Sequence, residues 1–335
     1  MMAPPNGLIL YGYAFSPYAQ KVKAYLAFRN IQYAECNQHY MLPRPDLAAL
    51  GVHYRRIPVM SIGRDVYIDT RAIIKRLETL FPASAEHPAL TTSQSQGVAL
   101  LLNNFVGNTG GVFNRATSLL TPEWGAMKDP AFQKDRSEFF GAAYMKGGWK
   151  EGKKEGITHM RHAFATLEAL LQDGREWIAG TKEVSSADWE AQWVFRWYLT
   201  DLRAPKEYFN KQEYPKTFAW IDRYQTVLKA AFERSGRPTP IKGDAALEAI
   251  TTAAYTDDKL VVESTDPLQL TEGVEVEVWP TDGGGHGHHD RGILKKLTRD
   301  EVAIQLKTSN GQEIRLHAPR WNFRIRAVEE ATAKL

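Results

Sequence analysis

The sequence of 335 residues contains one cysteine, Cys36, which excludes an intrachain disulfide framework, a CxxC redox pair and a thiolate zinc cage. A reducing compartment, the cytoplasm, is the expected home. Apolar runs such as Val98 to Leu102 fall far short of the ~18 residues that a membrane-spanning helix needs. The opening Met-Met-Ala-Pro-Pro-Asn-Gly has neither a basic segment nor an apolar core, so no secretory signal is expected. Neither sign of charge predominates. The 42 Lys and Arg against 39 Asp and Glu are too balanced for bulk attraction to nucleic acid or to an anionic membrane, and neither partner is expected. What is present is globular material, 43% hydrophobic and 24% charged, in a chain long enough for two or three domains.

The first part alternates strand-like and helix-like patterns. Leu8 to Tyr13 is a short apolar run, and Pro17 to Phe28 follows with Tyr18, Val22, Tyr25 and Leu26 at helical spacing, so strand gives way to helix at Phe15-Ser16-Pro17. Ile31 to Glu35 reads as a second strand. Ile57 to Ile62 and Val66 to Ile68, separated by Gly63-Arg64-Asp65, read as two strands joined by a tight turn. Asp69-Thr70 then opens a helix with Ile73, Leu77 and Leu80 along one side. From Thr92 to Arg234 the strand signals vanish and helical stripes such as Met160, Phe164, Leu167 and Leu171 take over. Ser185 and Asp188 have the spacing of a capping box for the helix that carries Trp189, Trp193 and Trp197.

Beyond Gly236 the pattern alternates again. Val274, Val276 and Val278, then Ile293 and Leu294, then Val302, Ile304 and Leu306, then Ile314 and Leu316, then Phe323 and Ile325 mark five short strands, which suggests a small barrel of SH3-like size.

Four motifs in order resemble the glutathione transferase family. They are the strand, loop and helix from Leu10 to Lys23 around Phe15-Ser16-Pro17-Tyr18, then Arg56-Ile57-Pro58-Val59, then Asp69-Thr70-Arg71-Ala72-Ile73, and finally Ser185 to Asp188 followed by Tyr214-Pro215 and Ala219 to Arg223. The resemblance covers roughly residues 7 to 234. It implies an α/β thioredoxin-like glutathione-binding domain over 1–85 and an all-helical, electrophile-binding domain over 90–236. The remainder is expected as a linker with a short helix over 237–268 and the β-barrel extension over 269–329.

The resemblance also implies roles. Ser16, at the start of the first helix, would stabilise the thiolate of bound glutathione, because a free helix N-terminus and a hydroxyl donor both favour an anion. A plain N-cap is the alternative role for Ser16. Tyr11 and Tyr13 are the rival thiol activators. Pro58 would be a cis-proline that turns the main chain of Ile57 toward the peptide backbone of glutathione. Thr70 and the helix start would hold the γ-glutamyl carboxylate and Asp69 its ammonium. Arg56 is a candidate for the carboxylates, with Arg44 or Arg55 for the glycyl end. The electrophilic small molecule is expected between the domains, near Phe15, Tyr18, Asn104 and Asn108. Cys36 falls outside the active loop and is expected to be inert.

The resemblance further implies a homodimer and an enzyme with glutathione as its cofactor. That enzyme is a serine-type glutathione transferase, with a dedicated biosynthetic role favoured by the added domain; alternatives are a glutathione-dependent cis-trans isomerase and a non-catalytic interaction module. No metal is expected, since the Gly283-Gly284-Gly285-His286-Gly287-His288-His289-Asp290 stretch has ligand types without a preorganised frame. Arg315, Arg320, Arg324 and Arg326 with Trp321 and Phe323 have the composition of a nucleic-acid surface, but the alternation fits a half-buried strand better.

Overall fold

A computed structural model of the chain describes residues 3–107, 111–141, 144–284 and 287–328. Two compact units are present, one made of Met1–Ala19, Gln32–Phe81 and Pro238–Leu335, the other of Gln20–Ile31 and Pro82–Arg237.

The first unit begins with β1 (Leu8–Gly12), α1 (Pro17–Phe28, which continues into the second unit), β2 (Ala34–Asn37), α2 (Pro45–Ala49), β3 (Val59–Ile62), β4 (Asp65–Ile68) and α3 (Thr70–Leu80). Strand β1 runs parallel to β2 and antiparallel to β3, and β3 and β4 form the expected hairpin. Gly63 in its turn has φ +57 and its position leaves no room for a side chain, because a Cβ would lie 2.5 Å from the Ala254 carbonyl oxygen. Strands β1, β3 and β4 are buried on both faces, as a sheet with a covered front and back requires.

The second unit is helical, with α4 (Ser93–Gly107), α5 (Val112–Ala116), α6 (Pro130–Phe140), α7 (Trp149–Leu170), α8 (Ser186–Thr200) and α9 (Pro215–Ser235). Helix α8 starts at the expected capping box. Fully buried Asp188 takes hydrogen bonds from the Ser185 N–H, the Ser185 hydroxyl, the Ile178 N–H and the Trp220 indole, so one carboxylate fixes the helix start, the preceding loop and α9 together.

The rest of the chain returns to the first unit with β5 (Thr239–Pro240), α10 (Gly243–Thr252), β6 (Glu275–Pro280), β7 (Asp290–Leu297), β8 (Glu301–Lys307), β9 (Glu313–Pro319) and β10 (Phe323–Ala327). All five expected strands are there. They do not stand apart as an appended domain. Instead β9 pairs in parallel with β4 and β5 with β2, which gives one ten-stranded sheet in the order β10-β6-β7-β8-β9-β4-β3-β1-β2-β5. The physical reason is the β4 edge, whose main-chain groups need partners and whose Asp65 is wholly buried.

Asp65 accepts from the N–H groups of Thr256 (2.6 Å) and Asp257 (2.9 Å), from the Thr256 hydroxyl, and faces Arg315 Nε at 2.9 Å and His317 Nε2 at 3.0 Å. These partners outweigh burial and hold its pKa at about 2. His317 Nδ1 meets Glu301 at 2.6 Å, so both ring nitrogens face carboxylates and the ring is held as imidazolium, with its pKa raised despite burial. Lys296 bridges Asp257 and Glu301.

Asp290, at the start of β7, is different. It accepts from the N–H groups of His53 and Tyr54, while Oδ2 is buried without a partner. Desolvation lifts its carboxyl from 3.8 to about 7. The folded state therefore binds a proton that the unfolded state has released, and Asp290 makes stability fall as pH rises from about 4 to about 7. His317 acts at higher pH: its contribution is full below 6.5 and is lost as pH passes its raised folded value. Melting temperatures measured from pH 4 to 9 are expected to fall with pH for the wild type, and Asp290→Asn is expected to remove the segment below about pH 7 while keeping the alkaline loss.

Candidate active site

The residues singled out from the sequence divide between the two units. In the first, Ser16 precedes α1 and is only 3% exposed. Its Oγ accepts the Ala19 N–H at 3.2 Å, the geometry of an N-cap. Accepting a hydrogen bond at oxygen leaves the hydroxyl proton available to a second group, so cap and anion donor are compatible. The Ile57–Pro58 bond is cis, and the main-chain N–H and C=O of Ile57 form no hydrogen bond among the described residues. Such unpaired main-chain groups in a protein with little exposure at that residue call for a partner.

Asp69 caps α3. Its Oδ1 accepts the Arg71 N–H at 2.9 Å and Oδ2 faces Arg71 Nη1 at 3.5 Å. The residue adopts φ +68 and ψ 139, a conformation that costs a non-glycine residue about 1–3 kcal/mol, and the cap and ion pair hold it there. Thr70, buried at the first position of α3, makes no side-chain hydrogen bond within the described residues. Tyr18 and Tyr54 complete this group. Both hydroxyls have raised pKa values, first through burial and then through Asp69 and Asp282, against the opposing effect of Arg56 and Arg71. The Tyr18 hydroxyl thus lies within electrostatic reach of these charges.

Arg56 is engaged within the chain. Its guanidinium pairs with Asp282 at 2.7 Å. Arg44 and Arg55 are buried, and Arg44 donates to the His39 carbonyl at 2.9 Å and to the Arg55 carbonyl. Phe15 is 50% exposed, with its ring against Tyr13 and Tyr40. In the helical unit, Asn104 is exposed on α4 while its neighbour Asn103 turns to the Glu190 carboxylate, which also holds buried Lys21. Asn108 lies outside the described residues.

The sequence alone did not single out Arg71, Tyr54 or Asp282. A cation two residues after a capping Asp was a usable signal for Arg71; the other two have none, because they meet the site only through the fold.

Residues 10–85 match the family model described as glutathione S-transferase, N-terminal domain. The fold is that of a glutathione S-transferase. Residues 115–233 match a second model, described as a domain of unknown function (DUF7962). A GST-like protein from Pseudomonas syringae is 23% identical, with a TM-score of 0.69 over 98% of this chain and 100% of its own, so the likeness in fold extends through the C-terminal strands. A beta-etherase from Sphingobium sp. strain SYK-6 is 16% identical, with a TM-score of 0.51 over 68% of this chain and 99% of its own. No curated protein matches.

Of the two rival thiol activators, Tyr13 is half-buried with its ring 4.8 Å from Phe15. Tyr11 is buried in the core, and burial together with Cys36 and Asp46 raises its pKa. Cys36 is buried too, its thiol pushed up to about 12 by burial and by Asp46. It is expected to resist a thiol reagent at pH 8 in the folded protein and to react once the chain is unfolded; rapid modification of the native protein would contradict this.

Asp257, Glu301 and His317 bring ligand atoms within 4.8 Å of one another. Lys296 already bridges the two carboxylates, and His317 is an imidazolium with no lone pair to give, so the cluster is a charge-compensated network. In the glycine-histidine stretch, Gly285 and His286 lie outside the described residues, and His289 stacks on Trp279 at 4.1 Å. No helix among the described residues is long and apolar enough to cross a membrane.

Proposed function

We propose that the protein is a serine-type glutathione transferase. The observation that carries the reading is the set of unspent polar groups in the first unit: the Ser16 hydroxyl proton, the Ile57 main-chain pair beside cis-Pro58, and the Thr70 hydroxyl at the start of α3. These groups suit a peptide that carries a thiol and a terminal amino-acid head group. Ile57 would pair with its backbone, Thr70 and the α3 N-terminus would hold the γ-glutamyl carboxylate, and Asp69 would face the ammonium.

Glutathione, when bound, supplies the thiolate that attacks an electrophilic carbon such as an epoxide or activated alkene. Ser16 would hold that sulfur at the N-terminal end of α1, where the helix dipole and one hydrogen bond to a charged acceptor together lower a thiol pKa by about one to two units. Holding both reactants in one place supplies proximity. Phe15 offers exposed aromatic surface to the electrophile. A cytoplasmic homodimer, with neither membrane nor nucleic acid as partner, belongs to the same reading.

Calorimetric titration with glutathione tests the reading, and absence of binding would overturn it. Mass spectrometry of products separates its variants: a stable adduct supports transfer, whereas unchanged mass with altered double-bond geometry supports isomerisation. Glutathione binding without turnover on a panel of electrophiles would favour the interaction module.

A further inference from the structure

The segment that follows β6 returns to the residues assigned to glutathione. Arg56 Nη1 donates to Asp282 Oδ1 at 2.7 Å, and Nε and Nη2 donate to the Gly284 carbonyl at 3.3 and 3.0 Å. The other carboxylate oxygen of Asp282 accepts from Asn322 Nδ2 at 3.0 Å, so the acid is anchored from two sides. The pair is largely shielded from water and is therefore weakly screened by salt. Asp282, Arg56, Asp69 and Arg71 all act on the Tyr18 and Tyr54 hydroxyls. Two guanidinium groups and two carboxylates thus lie within electrostatic reach of the same two hydroxyls.

We propose that Asp282, supplied by the C-terminal region, occupies the position of a ligand carboxylate on Arg56 and so sets the glutathione affinity of the site. The proposal rests on the glutathione reading. A guanidinium fork matches a carboxylate in shape and charge, and here the chain itself provides that carboxylate. Glutathione carries two carboxylates and one ammonium at neutral pH. With Asp282 in place, its carboxylate meets a guanidinium whose charge is already balanced, or has to displace a tethered competitor of high effective concentration. Without the Asp282 charge, the same four-residue group would carry one net positive charge and attract an anionic ligand.

The test is calorimetric titration of glutathione into the full-length wild type, Asp282→Asn, Arg56→Gln and the double variant. Asp282→Asn is expected to bind about fivefold more tightly, a change of about 1 kcal/mol, and the gain is expected to disappear in the Arg56→Gln background. Unchanged or weaker binding by Asp282→Asn, or a gain that persists without Arg56, overturns the proposal. If Asp282→Asn melts well below the wild type, Asn322→Ala, which loosens the second anchor of Asp282 without changing the charge of the site, takes its place: tighter binding supports the proposal and any other result overturns it. No binding by any of the four proteins overturns the glutathione reading and the proposal with it, whereas wild-type binding that Asp282→Asn fails to tighten overturns the proposal alone.

Discussion

Asp65→Ala is expected to destabilise the protein by about 3–5 kcal/mol, the cost of leaving buried charges without their partner. For a unit of this size that lowers the melting temperature by about 6–20 °C. The effect is large because a single carboxylate serves two N–H groups, a hydroxyl, a guanidinium and an imidazolium, all at the joint between β4 and β9. Removing it takes the carboxylate away from Arg315 Nε and His317 Nε2 inside the sheet. The exposed pair Lys75–Asp300, which also links the N-terminal part to the C-terminal strands, provides the comparison: solvent screens it, and Lys75→Ala is expected to leave the melting temperature nearly unchanged. Scanning calorimetry of both variants checks the contrast. Equal, small shifts would show that the buried network contributes nothing particular to the joint.

Ser16→Ala is expected to lower turnover about tenfold at neutral pH while changing glutathione affinity by no more than a few fold. The helix dipole and the Ser16 hydrogen bond together lower the bound thiol by about one to two units from ~8.5, which raises the thiolate fraction at pH 7 about 8- to 25-fold; loss of Ser16 gives up the hydrogen bond's share of that gain and leaves the dipole's. The deficit should shrink above about pH 9, where the thiol ionises without help. The variant also loses the N-cap of α1, at a cost of about 1 kcal/mol, so stability alone cannot decide the role. Thiolate absorbance in the ultraviolet, followed against pH for the bound peptide, does decide it: a raised thiol pKa identifies a donor to sulfur. A less stable protein with unchanged turnover and unchanged thiol pKa would leave Ser16 as a cap only. Ser16→Thr keeps the hydroxyl and is expected to restore part of both.

The candidate site was legible wherever a role follows from neighbours in sequence. Ser16 before Pro17 marks a helix start, Asp69-Thr70 marks another, and Ser185 with Asp188 marks a third; all three are helix starts in the structure. Strand alternation located β6 to β10 in the same way. Arg56 shows the limit. Its type and position suited an anionic ligand, but its charge is balanced by a residue 226 positions later, and nothing local distinguishes a free guanidinium from a paired one.

By itself, then, the sequence determined the order and type of elements, the helix starts and the absence of a reactive cysteine pair, since these follow from periodicity, capping and composition over a few residues. Only the tertiary structure decided that the C-terminal strands continue the N-terminal sheet, that His317 lies on Asp65 across 252 positions, and that Asp282 reaches Arg56. The cause is physical. An unpaired strand edge offers the same N–H and C=O groups to any strand, and an ion is satisfied by any counter-ion of suitable geometry, so the partner is selected by how the whole chain packs.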